Sequence, residues 1–337
     1  MMHELKRIIS AFEAATTQRK SCILATVVAL EGSSYRRPGV RMLIREDGKM
    51  IGAVSGGCVE KEVFRQAESV FRDGVPKVMT YDGRYRLGCE GILYILLEPF
   101  QLPRATLEQF KENLGERTPL LVKSHFQRLH GTSENFGSYF EVGGKWYPFR
   151  KEVLTEKNDA EIYEQHVPPC FRLVIVGAEH DTVQLVALAA GLGWEVTVVT
   201  EAKEEKQKAD FPGTTYFIAN DSDTPQLRID SETAVLLMTH SFVKDLKYLI
   251  ALKEQYPAYF GLLGPARRRE KLFDALLEQE SDIEPDFLSQ IHGPTGLDIG
   301  AETPEEIAVS ILAEILAATR KKTVIPLREK LGNIHAR

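Results

Sequence analysis

A chain of 337 residues is long enough for two domains, each with its own core. Hydrophobic residues make up 43% and charged residues 27%, a globular balance, and a formal net charge of −6 argues against a general nucleic-acid surface. No apolar run reaches the roughly 18–20 residues that span a bilayer, the N-terminus opens on an amphipathic helix pattern without a signal-peptide core, and Cys22, Cys58, Cys89 and Cys170 lack the spacing of a disulfide scaffold or zinc knuckle. A cytoplasmic protein with reduced thiols is expected.

Leu5, Ile8, Ile9 and Phe12 mark a first amphipathic helix. Cys22–Leu30 is a continuous, β-branched apolar run and reads as a strand buried on both faces. A polar turn, Glu31–Gly39, leads to a strand at Val40–Arg45, and Asp47-Gly48 turns it back into Met50–Val54. After Ser55-Gly56-Gly57-Cys58, apolar residues Val59, Val63, Phe64, Ala67, Val70 and Phe71 recur at helical spacing. Strands follow at Lys77–Tyr81 and Ile92–Leu97, then a helix near Leu107–Leu114 and strands at Leu120–Phe126 and Ser138–Val142. Lys151–Gln165 is charged and reads as a linker, reinforced by Pro168-Pro169. From Phe171 short apolar strands alternate with helices, the pattern of a parallel sheet covered on both faces. Thr303-Pro304-Glu305-Glu306 is a capping box that starts a last helix. The expected fold is α/β: an N-terminal α+β domain (1–165) with a mixed sheet, then a doubly wound, Rossmann-like parallel sheet (166–337).

Three constellations can carry chemistry. Cys58 follows two glycines and precedes a helix, whose N-terminus lowers a thiol pKa and favours the thiolate; Gly56 and Gly57 let backbone N–H groups approach an anion. Arg36, Arg37 and Arg41, in and after the upstream loop, suit an anionic, sulfur-reactive ligand, with Ser55 and the Gly88-Cys89 turn beside them in the pattern. The alternative for Cys58 is a buried, inert thiol. The second constellation is Gly177-Ala178-Glu179-His180-Asp181-Thr182, placed where a dinucleotide-binding turn belongs, with Glu201 at the position of a ribose-binding acid. Glu179 stands where the fingerprint has its second glycine, so the alternative is a doubly wound domain without a dinucleotide. The third is a set of loops after strands: Thr239-His240-Ser241, Gly261–Arg269 with Gly264, and His292–Ala301. A glycine loop leading into arginines can hold phosphate; the arginines read equally as a solvated face.

The motifs Gly32-Ser33-Ser34-Tyr35-Arg36-Arg37-Pro38-Gly39, Ser55–Glu60, Leu87–Gly91, Gly261-Leu262-Leu263-Gly264 and His292–Ala308 together resemble the xanthine dehydrogenase accessory (XdhC/CoxI-type) family over nearly the whole chain. The resemblance implies a factor, in purine catabolism, that binds molybdenum cofactor (molybdopterin) as cargo and helps its sulfuration and insertion into a molybdenum hydroxylase such as xanthine dehydrogenase. The family's cysteine maps onto Cys58, which is expected to contact the metal or the delivered sulfur; Arg36, Arg37 and the Gly56 and Gly57 amides are the expected contacts to the cofactor's phosphate or dithiolene end, and Gly177, His180, Glu201, His240 and Gly264, from the second and third constellations, are further candidate cofactor-binding residues. A homodimer and a cysteine desulfurase partner are further expectations. The rival is an NAD(P)-dependent oxidoreductase using Gly177 and Glu201. Family members carry glycines where this chain has Glu179 and Thr182, and a proline is common at the place of Tyr35.

Overall fold

The computed structural model describes residues 1–32, 34, 37–55, 57, 59–84, 91–151, 160–219, 227–280 and 282–331. The chain divides into two compact units, Met1–Cys170 and Phe171–Arg337. The first contains α1 (Met2–Thr17), β1 (Cys22–Glu31), β2 (Arg41–Arg45), β3 (Met50–Gly52), α2 (Glu60–Asp73), β4 (Lys77–Asp82), β5 (Ile92–Pro99), α3 (Arg104–Glu116), β6 (Leu120–Phe126), β7 (Gly131–Thr132), β8 (Gly137–Val142), β9 (Lys145–Pro148) and β10 (Glu161–Val167). They form two sheets, ordered β3-β2-β1-β5-β4-β7 and β10-β6-β8-β9. Among the described residues every pairing in both is antiparallel, in place of the expected mixed sheet: β3 and β4, which α2 joins by a crossover, run in the same direction but stand apart in the order and do not pair with each other.

β1 shows why its sequence lacks polar alternation. Ile23, Ala25 and Val27 pack with Val63, Ala67 and Val70 of α2, while Leu24 packs with Leu5, Ile8 and Ile9 of α1 and with Val122 and Phe140 of the second sheet. Both faces are dry, and each valine, leucine, isoleucine or phenylalanine among them contributes roughly 1.5–3 kcal/mol by leaving water. Glu161–Val167, whose first residues read as linker, is instead a strand paired along β6 from Glu161↔Phe126 to Val167↔Leu120. Gln165 and Val167 are its buried positions, and its exposed glutamates hid the alternation.

The second unit contains β11 (Arg172–Val176), α4 (His180–Gly191), β12 (Glu195–Thr200), β13 (Tyr216–Ala219), β14 (Thr233–Leu237), α5 (Phe242–Ala251), β15 (Tyr259–Leu262), α6 (Ala266–Gln279), α7 (Pro285–Ser289), β16 (Ile291–His292) and α8 (Pro304–Thr319). Its six strands are parallel in the order β13-β12-β11-β14-β15-β16. α4 and α8 cover one face through Leu185, Val186, Ile311 and Ile315, and α5 and α6 cover the other through Leu246, Leu249, Leu272 and Leu276. Strand order reverses between β11 and β14, the point at which a crevice opens beyond the carboxyl ends of such sheets. The Thr303 capping box forms as expected: its hydroxyl accepts the Glu306 N–H at 3.3 Å, and Glu306 accepts the Thr303 N–H at 3.0 Å. Among the described residues no helix is long and apolar enough to cross a membrane.

Candidate functional site

Ser55 and Glu60, on either side of Gly57, form a clamp that local sequence reading missed. The Ser55 N–H donates to Glu60 Oε1 at 2.8 Å and its hydroxyl donates to Oε2 at 2.6 Å. The same Ser55 oxygen accepts the N–H groups of Gly57 at 3.0 Å and Val59 at 3.2 Å. Amides just before α2, at Gly57 and at its N-cap Val59, are thereby satisfied. Gly57 sits at φ +113°, a conformation L side chains rarely adopt. Serine and glutamate are five residues apart here, not the three of a capping box, so spacing alone did not announce the pair. Arg36, Gly56, Cys58 and Cys89 lie outside the described residues.

Burial opposes ionisation of Glu60, but the hydrogen bonds from Ser55 and from the helix start prevail and hold its carboxyl below the usual range. A depressed carboxylate contributes stability that is present above its unfolded pKa and lost as pH falls through the folded one. Glu60→Gln is therefore expected to flatten the acid limb of a stability–pH profile below about pH 4.3. Ser55→Ala is expected to lower stability by roughly 1–2 kcal/mol at pH 7, read from the urea midpoint. Unchanged profiles in both variants would refute the clamp.

The upstream arginines separate. Arg37 is exposed. Arg41 belongs to the interior, which corrects its placement among ligand-facing arginines: it is 6% exposed and its Nη1 donates to Gln165 Oε1 at 2.6 Å and to the Gly39 carbonyl at 3.1 Å. Burial pushes its pKa down to about 10, with Tyr163 and Glu98 acting in opposition. Arg41 thus ties the end of the arginine loop to β10.

In the second unit, a cavity of about 470 Å³ opens at the switch point, lined by Gly177, Glu179, Glu201, Lys203, Lys244 and Tyr248 among others. Gly177 has φ +127°, and a Cβ there would stand 2.4 Å from the Met238 carbonyl oxygen. Thr182, in place of the fingerprint's third glycine, is fully buried and donates its hydroxyl to the Gly177 carbonyl at 3.2 Å. Glu179 caps α4 without a side-chain hydrogen bond and is exposed, as is His180 beside it. Glu201 pairs with Lys203 at 2.8 Å and Lys244 at 3.1 Å, and the lysines, Lys203 first, hold its carboxyl below the usual range. Glu179 thus places a carboxylate at the pyrophosphate position of the fingerprint, and Glu201, at the ribose-acid position, lies beside two ammonium groups while its buried Oε2 has no hydrogen-bond partner among the described residues.

The three C-terminal loops are brought together, by partners that sequence reading did not identify. Asp245, 1% exposed on α5, accepts the Thr239 hydroxyl at 2.6 Å and Arg268 Nη2 at 2.7 Å. Arg269 donates to the Gly293 carbonyl at 2.6 Å. Two of the three arginines therefore lock loops to each other, neither forming an open phosphate cradle nor a solvated face; Arg267 is exposed. Gly264 has φ +119°, a conformation that L side chains rarely adopt, and a Cβ there would stand 2.8 Å from Arg268 Cδ. His240 is exposed and adopts φ +54°, in the left-handed region uncommon for a side-chain-bearing residue. Glu314 on α8 gathers the third loop: it accepts the Gly296 N–H at 2.7 Å and the Tyr259 hydroxyl, and meets His292 Nδ1 at 3.1 Å. No group of three or more His, Cys, Asp or Glu side chains among the described residues is placed to hold a metal, and the metal expectation rests on Cys58 alone.

Comparison with known proteins agrees with this architecture. Residues 15–82 match the XdhC and CoxI family profile, and residues 173–315 match the XdhC Rossmann domain, in the expected order. The chain is 30% identical over 333 residues to a Bacillus subtilis protein named as a probable xanthine dehydrogenase subunit, covering 93% of this chain and 97% of that one. It is 26% identical to the molybdenum cofactor insertion chaperone PaoD of Escherichia coli, covering 88% and 83%. A crystal structure described as a xanthine dehydrogenase from Bacillus halodurans superposes with a TM-score of 0.78 at 27% identity, over 94% and 96% of the two chains. This chain belongs to the XdhC and CoxI family.

Proposed function

We propose that the chain is a cytoplasmic maturation factor that holds molybdenum cofactor for a molybdenum hydroxylase such as xanthine dehydrogenase and assists its sulfuration and insertion. The observation that carries this reading is the near full-length likeness to PaoD, an insertion chaperone for the same cofactor. The hydrogen bonds among Ser55, Gly57, Val59 and Glu60, in the segment between β3 and α2 that carries the Gly-Gly-Cys motif, support it. Cys58 is the proposed ligand of the molybdenum or of the sulfur being delivered. Arg36, Arg37 and the amides of Gly56 and Gly57 are the proposed contacts to its phosphate or dithiolene end. Ser55, engaged within the turn, acts by positioning. A cysteine desulfurase is the proposed sulfur donor, and a homodimer the proposed assembly.

The test is retention and transfer. Wild type and Cys58→Ala are mixed anaerobically with molybdenum cofactor, desalted, and assayed for bound molybdenum and for activation of cofactor-free xanthine dehydrogenase. Stoichiometric retention by wild type and a loss of about tenfold or more in the variant are expected. Equal retention removes Cys58 from the site, and no retention by wild type overturns the cargo reading.

A further inference from the structure

We propose that the outward face of α4 and α8 in the second unit is the surface on which a second copy of this chain docks. The two copies are related by a two-fold axis that sets α8 antiparallel to its counterpart and seats the arm that follows α8 in each copy against the other. The inference rests on the homodimer proposed above and assigns its face.

From Thr182 to Trp194 the chain carries no charged residue. Between Ile307 and Thr319 its one charge, Glu314, is turned to Tyr259, His292 and Gly296. Leu185, Val186, Ile311 and Ile315 account for the side that meets the sheet. The other side is apolar as well: Leu188, Leu192 and Val309 are 38%, 41% and 50% exposed, and Ala313 and Ala317 share the side of Val309 at helical spacing. The opposite helical layer is built for water, since α6 carries exposed Glu270, Lys271, Asp274 and Glu278. A helix that is apolar all round is one that is covered.

Charge at the two ends of α8 says what covers it. Glu302 and Glu305 are exposed at its start, and Arg320, Lys321 and Lys322 are exposed directly after its last residue. Glu305 and Arg320 stand about 22 Å apart along the helix, with Ala313 near the midpoint. A copy turned about a two-fold axis at Ala313 brings each acidic end to a basic end, twice over, with the uncharged stretch between them. α4, α5 and α6 are not followed by such a basic run. Helices of 12 and 16 residues side by side present roughly 500 Å², short of the about 800 Å² that each partner gives a stable dimer. The arm supplies the remainder: Val324, Ile325 and Leu327 are each about half exposed or more, and exposed Ile299 lies just ahead of α8, at the end to which the two-fold axis brings the arm of the second copy.

Sedimentation velocity of the full chain over a range of concentrations tests the face, with circular-dichroism melting confirming that each variant is folded. Wild type is expected to sediment as a dimer. Val309→Glu, which places a charge at the centre of the face, is expected to weaken association about tenfold or more. Two charge variants, Glu302→Lys with Glu305→Lys and Arg320→Glu with Lys322→Glu, are each expected to self-associate about tenfold more weakly than wild type. An equimolar mixture of the two is expected to recover wild-type association, because each acidic end again meets a basic one. Association unchanged in folded Val309→Glu, or a mixture that stays as weak as its components, overturns this face while leaving the homodimer standing. A monomeric wild type overturns both, and molybdenum retention measured on the same samples reports separately on the cofactor reading. A monomer whose Val309→Glu variant loses only activation of cofactor-free xanthine dehydrogenase makes that enzyme the occupant and overturns the proposal.

Discussion

Replacement of Glu98 by leucine is expected to cost the first unit roughly 3–5 kcal/mol, among the largest losses available to a single substitution in this chain. Glu98 lies on β5 opposite Leu24 of β1 and is fully buried. One oxygen accepts the Ser138 N–H at 2.8 Å; the other has no hydrogen-bond partner among the described residues. It lies in the field of Arg150 and Arg41, and the Nε and Nη2 atoms of Arg41 likewise lack partners among the described residues. A guanidinium cannot shed its charge to escape burial. Leucine at position 98 therefore leaves Arg41 buried beside one fewer negative charge and leaves the Ser138 amide without its acceptor. Glu98→Gln, which keeps an acceptor for that amide, is expected to cost about 1 kcal/mol. Combining Glu98→Leu with Arg41→Met is expected to cost less than the sum of the single changes. The measurement is urea unfolding resolved by hydrogen exchange of first-unit peptides; a leucine variant within about 1 kcal/mol of wild type would sink the argument.

The same residue sets a pH dependence. Burial raises the Glu98 carboxyl above its ordinary range against the lowering pull of Ser138, Arg150 and Arg41. The folded chain thus binds that proton more tightly than the unfolded chain. The associated stability is fully present below the unfolded pKa of about 4.3 and is lost as pH rises through the higher folded value. Glu60 titrates in the opposite sense, so Glu98→Gln and Glu60→Gln should tilt the stability profile in opposite directions.

Gly177→Ala is expected to destabilise the second unit by roughly 2–5 kcal/mol, combining a strained φ with overpacking. The new Cβ would stand 2.4 Å from the Met238 oxygen and 2.8 Å from its carbonyl carbon, both backbone atoms on the neighbouring strand end. Neither can swing aside, because the Met238 N–H is bonded to the Val176 carbonyl and the Gly177 N–H to the Val199 carbonyl, each at 2.9 Å. Gly191→Ala, at the end of α4 with nothing within 4 Å of its Cβ, is the matched control and is expected to be neutral or stabilising by up to about 1 kcal/mol. Equal unfolding midpoints for the two variants would show that the turn has more freedom than its packing implies.

Much of the architecture was legible in residue order. The β-branched run at Cys22–Leu30 announced a strand buried on both faces, the alternation after Phe171 announced a parallel sheet with two helical layers, and Thr303–Glu306 announced its helix start. These are local signals, since side-chain period and capping chemistry act within a few residues. The motifs around Ser55 and His292 carried the family in the same way. What residue order left open were pairings across long stretches of chain. Arg41 and Gln165 are 124 residues apart, and Tyr259 and Glu314 are 55 apart. Arg268 read as equally ready for solvent or phosphate until Asp245, 23 residues earlier, took it up. Glu201 read as a ribose acid from its position alone, and nothing in residue order placed Lys244 at 3.1 Å from it. A charged side chain looks the same in sequence whether it meets water, ligand or a buried partner, because that choice is made by the desolvation and partner geometry that only packing creates. Composition and periodicity alone determined the two-part α/β organisation; the tertiary structure decided which charges remain available for chemistry.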